Sequence, residues 1–119
     1  SATSKTNKGV SFVKDSGYRF ENGYVDLEVL KAEEGEWEAI FSFSPEKLPR
    51  TPQSLFYGTS SDGLSWEFSG IPISPLDMSY LDPTGVKLND GSYLIVSAVA
   101  PNELGTRKYT LFSMKMTLP

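Results

Sequence analysis

"YVDLEVLKAEEGEWEAIFSF" at residues 24–43 and "YLDPTGVKLNDGSYLIVSAV" at residues 80–99 are one pattern written twice. Sliding the chain by 56 superimposes them without a gap. Tyr24 falls on Tyr80, Asp26 on Asp82, Lys31 on Lys87 and Gly35 on Gly91. The match continues downstream, with Pro45 on Pro101, Leu48 on Leu104, Leu55 on Leu111 and Phe56 on Phe112. Trp37 opposite Tyr93 and Ile40 opposite Val96 keep aromatic or β-branched character. A period of this length is the mark of a repeat architecture, and missing it miscalls the fold.

The local reading of each copy is β. Strands are expected near 24–31, 36–43, 53–60 and 65–69, and again near 82–88, 92–99 and 108–116. They are rich in aromatic and β-branched residues and are separated by Gly-bearing turns and Pro-marked loops. No stretch carries a sustained helical period with caps. Three strands, a polar turn and a short fourth strand, repeated, make an all-β chain of two four-stranded β-propeller blades. A β-sandwich is the rival architecture, and eight identities at one offset speak against it.

The polar turn is "SSDGLSW" at 60–66, and a shift of 54 lays "KGVSF" at 8–12 on its "DGLSW". Asp62 can accept backbone N–H bonds within the turn, Gly63 can take a conformation that other residues resist, and Ser60 can tie the far side. Trp66 then serves as an apolar wedge. The faint copy keeps a ring at Phe12 and loses the carboxylate to Lys8, as a structural peg could and a catalytic motif would not. A structural role on the blade's outer rim is expected for Asp62.

"SSDGLSW" resembles the Asp-box turn of sialidase-type propellers, one residue shorter between Asp and Trp. "YLDPTGVKLNDGSYLIVS" resembles the inner strands of five-bladed glycosidase propellers, the arabinanase, xylosidase and invertase lineage. The resemblance implies a base or nucleophile at an inner-strand Asp, a position that Asp26 and Asp82 both match. Asp26 is followed by Leu27 where the family pattern has Pro.

The single domain 1–119 divides into an entry segment 1–23, blade one at 24–79 and blade two at 80–119, which lacks an outer strand. The segment near 9–14 is the counterpart of the stretch entering blade one's fourth strand. It is expected to complete blade two of a neighbouring copy, head to tail, because an open strand edge invites pairing. A trimer of six blades is favoured, then a dimer of four. The alternative is that these are two blades of a longer propeller.

Composition narrows the chemistry. There is no Cys and no His, which removes disulfides, thiol nucleophiles, His triads and the usual zinc ligands. A net charge of −4 without a basic run argues against nucleic acid or an anionic membrane surface. No apolar stretch nears the roughly 18 residues of a transmembrane helix. The compartment stays open, with a secreted or surface-associated place favoured.

Tyr24–Asp26 and Tyr80–Asp82 are therefore the candidate ligand site, an aromatic face beside a carboxylate as sugar recognition needs. In a regular strand each ring would share a face with its carboxylate two positions on. Arg50 and Arg107 are candidate partners in the loops. No metal ligand set or cofactor is expected, although carboxylates gathered at the axis could share a cation. Asp26 and Asp82 are also the candidates for catalysis. Hydrolysis would require a second carboxyl roughly 5 to 9.5 Å away acting as general acid, and Glu28, Glu46 and Glu103 are the residues to consider. Three readings remain: a non-catalytic carbohydrate-recognition module, a glycoside hydrolase, and a purely structural propeller scaffold.

Overall fold

Each repeat folds as a meander of antiparallel strands, because consecutive β-forming runs are joined by connections too short for the crossover that parallel pairing needs. The structure, a computed structural model, describes residues 2–4, 9, 11–17, 20, 24–44, 52–101 and 108–118. Two short strands, β1 (Ala2–Ser4) and β2 (Phe12–Lys14), pair with each other. Sheet one is β3 (Tyr24–Glu33), β4 (Glu36–Phe43), β5 (Ser54–Ser60) and β6 (Glu67–Pro72), in that order. Sheet two is β7 (Ser79–Lys87), β8 (Tyr93–Ala100) and β9 (Thr110–Met116). The chain is thus all-β, with no helix among the described residues. The expected fourth strand at 65–69 runs slightly later, and β7 starts earlier than the 82 read from sequence.

The repeat survives at the level of register. Tyr24 pairs with Phe43 as Tyr80 pairs with Val99, and Glu28 with Ile40 as Thr84 with Val96. Both first strands also carry a bulge at the same end. Val25 and Asp26 together oppose Ser42, while Asp82 and Pro83 oppose Ser97. Pro83 has no N–H to give the ladder, so a bulge is where β7 can hold it. Asp82 there takes a φ of 46°, the left-handed region that Asp tolerates better than most residues.

The two sheets pack face to face. Ile40 and Leu55 of sheet one meet Tyr80, Tyr93, Ile95 and Val99 of sheet two in one buried cluster, with Leu30, Phe112 and Met114 against it. Polar bonds pin the seam. Ser42 Oγ donates to the Tyr80 carbonyl at 2.6 Å, and the Tyr80 N–H donates to the Gln53 carbonyl at 2.8 Å. Gly85 is where the Leu30 side chain presses on the backbone of sheet two: a Cβ on it would stand 2.5 Å from Leu30 Cδ2 and 2.8 Å from Ile95 Cδ1.

Burial differs between the sheets. In sheet one, Ala39–Ser42 and Ser54–Gly58 are buried in unbroken runs, the sign of a strand covered on both faces. An aromatic layer of Phe20, Tyr24, Phe41, Phe43 and Phe68 lies on its outer face. In β8 of sheet two, burial alternates residue by residue, so one face is covered and the other is open.

Candidate functional site

The bulges decide what the inner-strand residues can do. An extra residue reverses which way the following side chains point, so Tyr24 and Asp26 part company. Tyr24 turns to the outer face of sheet one, its ring stacked on Phe43 at 4.2 Å and on Phe68 at 4.7 Å between centroids. Asp26 turns toward sheet two, where its Oδ2 accepts the N–H of Asp82 at 3.2 Å. Glu28 follows it, accepting the Thr84 hydroxyl at 3.1 Å and the Gly85 N–H at 3.4 Å.

Asp26 therefore caps a backbone amide on β7, a strand of the facing sheet. The bulge at Asp82 withdraws that amide from its ladder, and the Asp26 carboxylate supplies the acceptor. Tyr80 lies in the core at 1% exposure, edge-on to Phe112. Asp82 is exposed. The pairing of ring and carboxylate on one face, expected at both positions, is thus not formed at either. Arg50, Arg107, Glu46 and Glu103 lie outside the described residues. Among the described residues no three His, Cys, Asp or Glu side chains come together to hold a metal ion.

The Ser60–Trp66 turn forms at the β5–β6 connection, on the side of sheet one away from β3. Asp62 Oδ1 accepts the N–H groups of Leu64 at 2.7 Å and Ser65 at 2.8 Å, together with the Ser60 hydroxyl at 2.9 Å. Ser60 Oγ in turn accepts the N–H of Gly63 at 2.9 Å. Gly63 has a φ of 69°, and a Cβ there would come within 3.0 Å of the Trp37 ring. Only glycine lets the turn lie flat on that indole.

These donors, the Ser65 and Leu64 amides first, hold the Asp62 carboxyl at about 2 against an ordinary 3.8. A carboxylate with a depressed folded pKa stabilises fully above its unfolded value, and that contribution is lost as pH falls through the folded one. Acidification from 3.8 toward about 2 is therefore expected to weaken the wild-type chain more than Asp62→Asn. Urea midpoints measured down that range check it; parallel curves for the two proteins would break the link. Asp90, held at about 2 chiefly by Lys115, adds to the same acid limb in both.

Sequence reasoning missed what this turn builds. The sequence reads Trp66 as a wedge and gives Trp37 no part in a site. Trp66 does sit edge-on to Phe41 at 5.2 Å, yet both indoles stay half-buried. Trp37 opposes Ser60 in the β4–β5 register, so the β3–β4 and β5–β6 turns lie at the same end of the sheet. Between them opens a cleft of about 470 Å³. Its walls are Trp37 and Trp66, with Glu36, Glu38, Glu67, Thr59, Ser60, Ser61 and Ser65 around the rim. The signal was available: each tryptophan directly follows a turn, and a hairpin ladder brings alternate turns together.

No family model, curated protein or solved structure matches this chain.

The carboxylates of the cleft are not equivalent. Glu36 is held by Lys31, whose hydrogen bond lowers its pKa. Glu38 accepts the Tyr93 hydroxyl at 3.0 Å, while that phenol is pushed up by burial first and by Glu38 second. Glu67 is exposed on β6. The cleft thus offers flat apolar rings beside hydroxyls and oxygen acceptors. A second hollow of about 340 Å³, floored by Tyr24, Phe43, Phe56 and Phe68, lies on the outer face of sheet one and is almost wholly apolar.

Proposed function

We propose that this chain is a non-catalytic carbohydrate-recognition module of glycosidase-like propeller type, and that the Trp37–Trp66 cleft takes the sugar. The observation that carries the reading is the meeting of both tryptophans with carboxylates and hydroxyls at one mouth. A pyranose ring presents C–H faces that stack on an indole and hydroxyls that need acceptors and donors at its edge. An open cleft of this kind binds weakly by itself, and gains from repetition when several copies act together.

Catalysis is less well supported. Glycoside hydrolysis needs a carboxylic acid whose pKa is raised to keep its proton. Glu36, Asp62 and Asp90 are instead lowered, each by donors that favour the charged form. Asp26, the first candidate base, is engaged by the Asp82 amide.

Both tryptophans of the chain line this cleft, so indole fluorescence reads it without labelling. A glycan-array hit added as free oligosaccharide is expected to shift the emission saturably. Glu67→Gln should weaken binding by about tenfold, the worth of one lost hydrogen bond to a charged partner, and Ser61→Ala by about threefold, the worth of a neutral one. Asp26→Asn and Asp82→Asn should leave binding unchanged. Binding lost in those two variants instead moves the site to the inner strands, and hydrolysis of aryl glycosides lost with them makes the chain an enzyme. An array without a hit leaves the scaffold reading, which the cross-sheet engagement of Asp26 and Glu28 favours.

A further inference from the structure

The face of sheet one that packs on sheet two has its repeat counterpart on the open face of sheet two. Leu30, Ile40 and Leu55 lie in or against the buried cluster. Their counterparts 56 residues on are Val86, Val96 and Leu111, of which Val86 is 56% exposed and Leu111 82% exposed. The receiving side repeats as well. Pro83 is buried and Gly85 half-buried against sheet one, while their counterparts Leu27 and Val29 stand 47% and 39% exposed on sheet one's outer face. The molecule thus carries one buried seam and both halves of a second, unjoined one, the half on sheet one lying open at Leu27 and Val29 beside the part that Phe20 already covers. We propose that a second copy of this chain docks head to tail, its sheet one covering the open face of sheet two as sheet two covers sheet one within the chain.

Compensated differences between the two seams identify the occupant. In the seam within the chain, Gly85 receives Leu30. In the second seam position 86 is smaller than its counterpart and position 29 larger, so Val86 meets the second copy's Val29. The Glu38–Tyr93 hydrogen bond is a polar pair across the internal seam. Its counterpart would be Leu94 against the second copy's Trp37, both apolar. Loss of the carboxylate on one face and of the phenol on the other makes sense only where those two faces meet, since either change alone strands a buried polar group. Asp82 is likewise placed to accept the second copy's Asp26 N–H, as Asp26 accepts the Asp82 N–H within the chain. Ala98 replaces Ser42, so the hydroxyl bridge to the Tyr80 carbonyl has no second version.

Two further observations agree. The radius of gyration is 15.4 Å, against about 13.5 Å for a chain of this length closed on itself. Among the described residues β9 pairs only with β8, and β2 pairs only with β1. Within the chain β6 precedes β7 and pairs with β5; by the same repeat, the second copy's β2, which precedes its β3, would be the strand for that open β9 edge. The contact is heterologous, and it closes a ring of three copies, or of two, without leaving an exposed face. The inference does not use the sugar reading.

Light scattering of the purified chain should give a mass of two or three copies that persists on dilution. A monomer at high micromolar concentration overturns the proposal. Leu111→Glu blocks one half of the seam and Leu27→Glu the other, so each alone should be a folded monomer by circular dichroism. Mixed, the two should form a one-to-one pair, because each retains the half that the other lacks. A folded single variant that keeps the parental mass, or a mixture that stays monomeric, would also overturn it. Ile71→Glu, exposed on the edge strand β6, should keep the parental mass. Equal dissociation by that variant would show unspecific clustering instead.

Discussion

Tyr80→Ala is expected to cost about 3–5 kcal/mol, the range for deleting a large buried ring. That is a large part of the roughly 5–15 kcal/mol that holds a domain together. The ring is 1% exposed in the cluster shared by both sheets and edge-on to Phe112 at 5.4 Å. The backbone of the same residue takes bonds from Ser42 and gives one to Gln53, so a collapse around the cavity would also strain the polar seam. Tyr80→Phe isolates the ring from its hydroxyl, which burial and Asp77 push toward a higher pKa. It should cost only about 1 kcal/mol, one hydrogen bond. Urea unfolding monitored by far-ultraviolet circular dichroism separates the two. A Tyr80→Ala protein as stable as Tyr80→Phe would mean that the sheets do not meet on this ring.

Gly85→Val is the second large effect. The new side chain would enter space already held by Leu30 Cδ2 and Ile95 Cδ1, at 2.5 and 2.8 Å from the first added carbon. Overpacking of this kind costs about 1–3 kcal/mol. Adding Leu30→Ala removes as many carbons as the valine adds. The double variant should therefore recover most of the loss, although Leu30→Ala alone opens a cavity and is destabilising. Such non-additivity between neighbours is what a double-mutant cycle measures. Additive losses would place Gly85 and Leu30 on different contacts. The pair matters beyond stability, because Val29 and Val86 repeat it on the two unjoined faces.

The seam and the cleft share one wall. Trp37 holds the Gly63 turn in place, lines the cleft and stands on the face where Tyr93 stands in the other repeat. A docked copy would bring Leu94 toward that indole, so assembly and ligand binding meet at the same ring. A sugar-dependent change in tryptophan emission is therefore best measured at one fixed assembly state.

What the amino-acid sequence determined by itself is the part written in local terms. Strand runs, Gly-bearing turns and the offset of 56 depend on backbone preference and short-range bonding, and the seven strands of the two sheets and their pairing order follow from them. The Ser60–Asp62–Gly63 turn was legible for the same reason, since its partners lie within three residues of one another. Only the tertiary structure decided which way the side chains face. A bulge of one residue at Val25–Asp26 separates Tyr24 from Asp26, and no spacing rule reveals a bulge before the partner strand is in place. The acceptor role of Asp26 exists only because a second bulge, in another sheet, frees an amide at Asp82. Likewise the two tryptophans become one cleft only when antiparallel pairing folds two distant turns to the same end of a sheet.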